Sequence, residues 1–219
     1  MSARREVAIG LGSYALYLAV RRTVWTDRGR ARALANARRV ADVEHRLGVD
    51  VEAAVQRRAL RVPGLVYGLN AGYAAGNVAL SVGWLLRLYA DGDRSFRRER
   101  RAAVAAFTGA LPLFALFPVA PPRKLDDFVD TMGGEHTGLD HPFLTRWYNP
   151  IAAMPSHHMA FAVVTGVGLA RRARTRRGRL GWLAYPGAVA TVVIATANHF
   201  VADVVAGAAL GGIARRLTR

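Results

Sequence analysis

Residues 62–90 read VPGLVYGLNAGYAAGNVALSVGWLLRLYA, with Arg87 near the end as the one charged residue. A bilayer-spanning helix needs about 20 mostly apolar residues, and this stretch supplies them. Working outward, residues 102–119, 151–170 and 180–197 carry no Arg, Lys, Asp or Glu. Residues 7–20 are a shorter run flanked by Arg4, Arg5, Arg21 and Arg22, and residues 199–213 are another short run that holds Asp203. A soluble helical protein can own one or two such runs as core helices, but six in 219 residues leave too little polar surface to cover them. The expected fold is all-α: a polytopic membrane protein with a six-transmembrane-helix bundle, one domain over residues 1–219. The run 7–20 could instead be a signal peptide, but it ends at Arg21 and Arg22 without a small-x-small cleavage site and is read as a helix.

Composition narrows the function. Hydrophobic residues make up 52% of the chain and charged residues 21%, too apolar for disorder. There is no cysteine, which excludes disulfides, thiolate metal sites and cysteine nucleophiles. A net charge of +16 would ordinarily suggest nucleic acid. Here the arginines sit in short blocks between apolar runs, where membrane topology explains them, so nucleic acid ranks last as a partner.

Those blocks orient the chain. Residues 171–179 hold six Arg and no acid, residues 91–101 hold five Arg against three acids, and the C-terminus carries Arg215, Arg216 and Arg219. All are expected on the cytoplasmic side of the cell membrane. Residues 121–153 have Arg123, Lys124 and Arg146 against Asp126, Asp127, Asp130, Glu135 and Asp140, and are expected as an extracytoplasmic active-site loop. Residues 21–61 break the rule, with eleven Arg against five acids on that outer side. Their helix-periodic Ala41, Val43, Leu47, Val51, Ala54 and Val55 suggest amphipathic helices lying on anionic headgroups, between the first and second spans. In the 62–90 stretch, Gly64, Gly68, Gly72 and Gly76 form a small-residue ridge for close approach of another helix, of this chain or of a second copy in a homo-oligomer.

Ionisable groups at membrane depth are costly and mark function. Three clusters stand out: Pro121-Pro122-Arg123-Lys124, Pro155-Ser156-His157-His158 and His199-x-x-x-Asp203. On a helix, His199 and Asp203 share a face, and the carboxylate can fix the imidazole tautomer so that the other nitrogen attacks or takes a proton. A satisfied structural pair is the bland alternative. Ser156 after Pro155 sits where a helix N-cap is expected, and the free N–H groups there suit a phosphate. Arg123 and Lys124 add fixed positive charge, and His158 a proton donor.

In this order and on one side, the clusters resemble the type 2 phosphatidic acid phosphatase (PAP2) superfamily, which includes lipid phosphatases, polyprenyl diphosphate phosphatases, and the inositol phosphorylceramide and sphingomyelin synthases. Phe117-Pro118-Val119-Ala120-Pro121-Pro122-Arg123, Ala153-Met154-Pro155-Ser156-His157-His158 and Thr196-Ala197-Asn198-His199-Phe200-Val201-Ala202-Asp203 look most like its aureobasidin-resistance, inositol phosphorylceramide synthase-like branch. The resemblance implies catalytic roles for His199 (nucleophile forming a phosphohistidine), Asp203 (its orienting carboxylate) and His158 (acid for the leaving alcohol). It implies phosphate binding by Arg123, Lys124 and Ser156, a bystander role for His157, and no metal or other cofactor. Phosphatases of the superfamily carry an Arg six residues before the nucleophile, where this chain has Val193, and the first motif lacks their longer Lys-x6-Arg-Pro spacing.

The expected activity is therefore a membrane lipid-phosphate phosphatase acting on a lipid phosphate or polyprenyl (di)phosphate. A phosphotransferase moving an inositol-phosphate type headgroup uses the same residues and is the near alternative. A metal site from His157, His158, His199 and Asp203 has suitable ligand types, but Arg123 and Lys124 would repel the cation. A non-catalytic protein binding anionic lipid through its arginines is the reading from another class.

Overall fold

The computed structural model describes residues 2–133, 141 and 143–218, so Glu135 and Asp140 of the expected outer loop lie outside the described residues. All regular elements there are helical: α1 (Ala3–Val24), α2 (Asp27–Leu47), α3 (Glu52–Leu60), α4 (Leu65–Ala71), α5 (Asn77–Ala90), α6 (Phe96–Gly109), α7 (Leu111–Leu116), α8 (His157–Arg172), α9 (Arg176–Ala195) and α10 (Val201–Leu217). A π-helical turn, Gly72–Gly76, joins α4 to α5, and short 3₁₀ turns cover Pro122–Lys124 and Leu144–Arg146.

Several boundaries depart from the sequence expectation for physical reasons. The 62–90 helix starts at Leu65, because Gly64 adopts a left-handed conformation at φ 74°. The 102–119 run divides into α6 and α7, since Pro112 cannot sit inside a through-going helix without clashing with the carbonyl one turn earlier. The last helix begins at Val201, so His199 precedes it and reaches Asp203 from the turn instead of from the same helix face. Among the described residues, one helix, α9, is long and apolar enough by length and composition to cross a membrane. The other expected spans are shorter, interrupted or flanked by arginine, and six spans are not established by this criterion.

Helix α8 is the hub, packing on α5, α6, α9 and α10. Its small residues allow this. A Cβ on Gly207 of α10 would lie 2.4 Å from the Ser156 carbonyl oxygen, and one on Gly211 would lie 2.6 Å from that of Ala160. Gly207→Val is thus expected to force α10 off α8 and cost about 1–3 kcal/mol, read as a lowered melting temperature of the purified protein. An unchanged melting temperature would remove this contact as a determinant. The glycine ridge behaves otherwise: a Cβ on Gly64, Gly68, Gly72 or Gly76 would meet nothing within 4 Å. The inward face of that rod is instead Val66, Asn70, Asn77, Ser81, Trp84 and Leu88.

Two ends of the bundle differ in chemistry. At one, Glu99 pairs with Arg98 and Arg215, Asp93 with Arg172, and Glu6 of α1 with Arg100 of α6. At the other, Arg21 of α1 donates to the carbonyls of Thr145 and Tyr148, beside the three motif segments. The 21–61 segment does more than present a basic face. Ala33, Ala37 and Val40 of α2 pack on Val119, Ala120, Ile151 and Phe200, while Val43, Leu47 and Val51 stay exposed.

Candidate active site

The chain brings its second and third motifs together through paired turns. Ser156 donates its backbone N–H to the Asp203 carbonyl (3.0 Å), and its hydroxyl accepts the Met159 N–H (3.2 Å), which caps α8. Between α9 and α10 the chain reverses through Ala197, held at φ 50°, a left-handed value uncommon for a residue with a Cβ. The Arg123 backbone N–H donates to the Ala197 carbonyl (2.9 Å), which ties the first motif to the same turn.

These turns face a cavity of about 390 Å³. His158, His199, Arg123, Asn198 and Tyr73 line it, with Met132, Trp147, Tyr148 and Pro150 as largely apolar walls. The rings of His158 and His199 lie 6.1 Å apart between centroids. His199 Nδ1 is 3.3 Å from Asp203 Oδ2, and that same oxygen accepts the Phe200 backbone N–H at 2.9 Å. His199 Nε2 is buried without a hydrogen-bond partner among the described residues. Asp203, beside Nδ1, is placed to fix the ring's tautomer.

Arg123 is 4% exposed. Its Nε donates to Asn198 Oδ1 (2.9 Å) and its Nη1 to Asp130 Oδ1 (2.8 Å), while Lys124 Nζ reaches Asp130 Oδ2 (2.6 Å). Burial alone would raise the Asp130 carboxyl, but the Arg123 charge and the Lys124 bond outweigh it and hold it below the usual range. Arg123 is thereby fixed, through Asn198, one residue from the nucleophile candidate.

The remaining expected residues fall in different places. Lys124 lines a neighbouring cavity with Arg21, Arg30 and Arg146, not the histidine cavity. Ser156 is fully buried behind the cavity, where capping uses its hydroxyl. His157 turns away into Phe107, Phe114 and Phe161 and meets the Phe107 carbonyl at 2.9 Å, so the four-residue metal set is not assembled. Val193, at the position of the clamping Arg in phosphatases, sits in an apolar cluster with Met159, Ala162 and Val204. Its carbonyl accepts the Asn198 and His199 N–H groups, so this position shapes the turn through its backbone alone.

Several site residues escaped the sequence reading. Tyr73 lies in the π-helical turn, stacks on His158 at 4.0 Å, and meets His199 edge-on at 6.1 Å. Asn77 donates to the His158 carbonyl (2.7 Å) and accepts from the Tyr185 hydroxyl (2.8 Å). Asn70 donates to Thr131 and accepts from Asn198. The signal was present: Asn70, Tyr73 and Asn77 are spaced i, i+3, i+7 within an apolar stretch.

With this geometry in view, a family model described as the PAP2 superfamily matches residues 38–217. The chain belongs to the PAP2 superfamily. No curated protein and no solved structure matches the chain. PAP2 members are phosphoric ester hydrolases or phosphotransferases, typically membrane-associated, which supports a phosphatase-type function here. The PAP2 match begins at residue 38, inside α2, and so takes in Val40 but not Ala33 or Ala37 of the α2 residues packed against Phe200 and its neighbours.

Proposed function

We propose that the protein is an integral membrane phosphatase that hydrolyses a lipid phosphate or polyprenyl (di)phosphate through a phosphohistidine. The observation that carries this reading is the shared cavity in which the His158 and His199 rings stand 6.1 Å apart with Arg123 in the same lining. Reacting atoms need about 3–3.5 Å of separation, so two rings at this spacing can flank one phosphoryl group.

His199 Nε2 attacks phosphorus; the P–O bond to the lipid breaks, and the leaving oxygen takes a proton from His158. In the second step His158 withdraws a proton from water, the oxygen attacks phosphorus, and the N–P electron pair returns to His199. Asp203 stabilises the cation on the His199 ring during both steps. Charge on the phosphoryl oxygens meets Arg123, a preorganised donor that needs no rearrangement. Arg123→Ala is expected to lower kcat/KM by about 10²–10³, measured by phosphate release. Arg123→Lys should recover little of it, since an ammonium cannot bridge Asn198 and Asp130 as the guanidinium fork does. Full activity in either variant would remove Arg123 from the phosphate site.

A membrane location is supported by apolar side chains that face outward from several helices, among them Leu11, Leu16, Leu86, Leu116, Leu183 and Val205. The apolar stretch of α9 is only 17% buried, unlike a core helix. The Arg-rich connections 91–101 and 171–179 lie at the end away from the cavity, which by the positive-inside rule supports an extracytoplasmic cavity. α1 runs between the two ends, from the Glu6–Arg100 pair to Arg21 beside Tyr148, which fits a sixth span.

The cavity volume favours one second reading. About 390 Å³, walled by Trp147 and Tyr148, exceeds the needs of a phosphoryl group and can admit an alcohol acceptor, which would make the enzyme a headgroup phosphotransferase. The test is to incubate purified protein with lipid phosphates, with and without inositol, and follow free phosphate against new phospholipid. Inhibition by vanadate, which mimics pentacoordinate phosphorus, supports either enzyme. Lipid binding with neither product would sink both.

A further inference from the structure

The first turn of α10, directly after His199, gives its free N–H groups to three carboxylates from three different helices. Phe200 N–H goes to Asp203 of α10 (2.9 Å), Val201 N–H to Glu52 Oε1 of α3 (2.7 Å), and Ala202 N–H to Glu44 Oε1 of α2 (2.6 Å). All three carboxyls are buried, Glu44 at 3%, Glu52 at 2% and Asp203 at 0% exposure. A capping carboxylate at a helix N-terminus is ordinarily supplied by its own chain segment and half-solvated. Here two arrive from the N-terminal segment, more than 140 residues earlier.

Glu44 Oε2 is buried with no hydrogen-bond partner among the described residues, and the carboxyl on the adjacent N–H group is that of Glu52. Two carboxylates repel; two carboxyls can share a hydrogen bond only when one is protonated. We infer that Glu44 and Glu52 are positioning residues that hold one proton between them and so clamp α2 and α3 to the nucleophile end of α10, fixing His199 and Asp203. This rests on the assignment of His199 as nucleophile.

The charges around the pair fit that role. α10 and its turn bring Asp203 and His199, the 118–133 segment brings Arg123, already answered by Asp130, and no other charged side chain of α2 or α3 is buried. Burial first, then the neighbouring Glu52 carboxyl and the Asp203 charge, push the Glu44 carboxyl up to about 8. Between its ordinary value of 4.5 and about 8, the folded protein keeps a proton that the unfolded chain has released. Stability therefore falls as pH rises through that window, and above it two adjacent charges push α2 and α3 apart.

The test compares Glu44→Gln with Glu44→Ala in the full-length purified protein, by steady-state kinetics and by amide exchange of residues 198–206 from pH 6 to 9, corrected for intrinsic rates. The glutamine amide can accept the Ala202 N–H and donate to Glu52, as the protonated acid does. Expected are wild-type exchange and activity that deteriorate together towards pH 9, and Glu44→Gln that stays protected and active there. Glu44→Ala should be deprotected at every pH, with kcat lower on the order of 10²-fold and KM little changed, as for a misplaced nucleophile. Wild-type kinetics and protection in Glu44→Ala overturn the proposal, as does Glu44→Gln behaving like Glu44→Ala. Exchange following the expected pattern in a protein without any phosphoryl transfer would instead overturn the catalytic reading and leave the clamp standing.

Discussion

His199→Ala is expected to abolish turnover, a loss of about 10⁴-fold or more, as when the nucleophile of a covalent mechanism is removed. The fold should survive the change. Asp203 keeps the Phe200 N–H bond at 2.9 Å, Val201 and Ala202 keep their glutamate acceptors, and the turn is still held by the Val193 carbonyl. Substrate binding should survive too, because Arg123 and the aromatic wall of the cavity are untouched. The effect therefore falls on kcat. It is read by phosphate release, and by trapping radiolabelled phosphate on the protein, which should be acid-labile and base-stable in the wild type and absent from the variant. Turnover within tenfold of wild type would move the nucleophile elsewhere, since no other buried imidazole in the cavity has a carboxylate on its second nitrogen among the described residues (about tenfold corresponds to only ~1.4 kcal/mol of barrier).

How legible this site was in the sequence depended on contrast with the surroundings. His158, His199 and Asp203 announced themselves because ionisable groups inside apolar runs have few structural excuses. Glu44 and Glu52 did not, for the opposite reason. They sit among eleven arginines, where an acid reads as one side of a solvated face, and only the folding of α2 against Phe200 turns them inward. Tyr73 was masked because an aromatic residue in an apolar stretch looks like core; its spacing from Asn70 and Asn77 was the one cue, and nothing in GYAAG marks a π-helical turn. The helices were legible from hydropathy, and the break at Pro112 was available from proline chemistry alone. The direction each loop residue takes was not. Arg123 and Lys124 are neighbours that grip the same Asp130 yet line different cavities.

The second large effect separates the two chemical steps. His158→Ala is expected to slow hydrolysis of a lipid phosphate by about 10²–10⁴, the usual contribution of a positioned proton donor. The ring is held for that task by Tyr73, stacked on it at 4.0 Å, and by the Asn77 bond to the His158 carbonyl. An alkoxide leaving group needs the proton; a nitrophenolate does not. With an activated aryl phosphate the first step should therefore proceed in His158→Ala at nearly the wild-type rate. The second step still lacks its base for water, so phosphohistidine should accumulate, giving a burst of nitrophenol stoichiometric with enzyme and then a slow phase. His157→Ala serves as the control, because that ring is caged by Phe107, Phe114 and Phe161 and should alter stability without producing a burst. Equal losses on the lipid and aryl substrates, with no burst, would mean that His158 binds phosphate and moves no proton. The division of labour between two imidazoles 6.1 Å apart would then have to be abandoned, even with His199 retained as nucleophile.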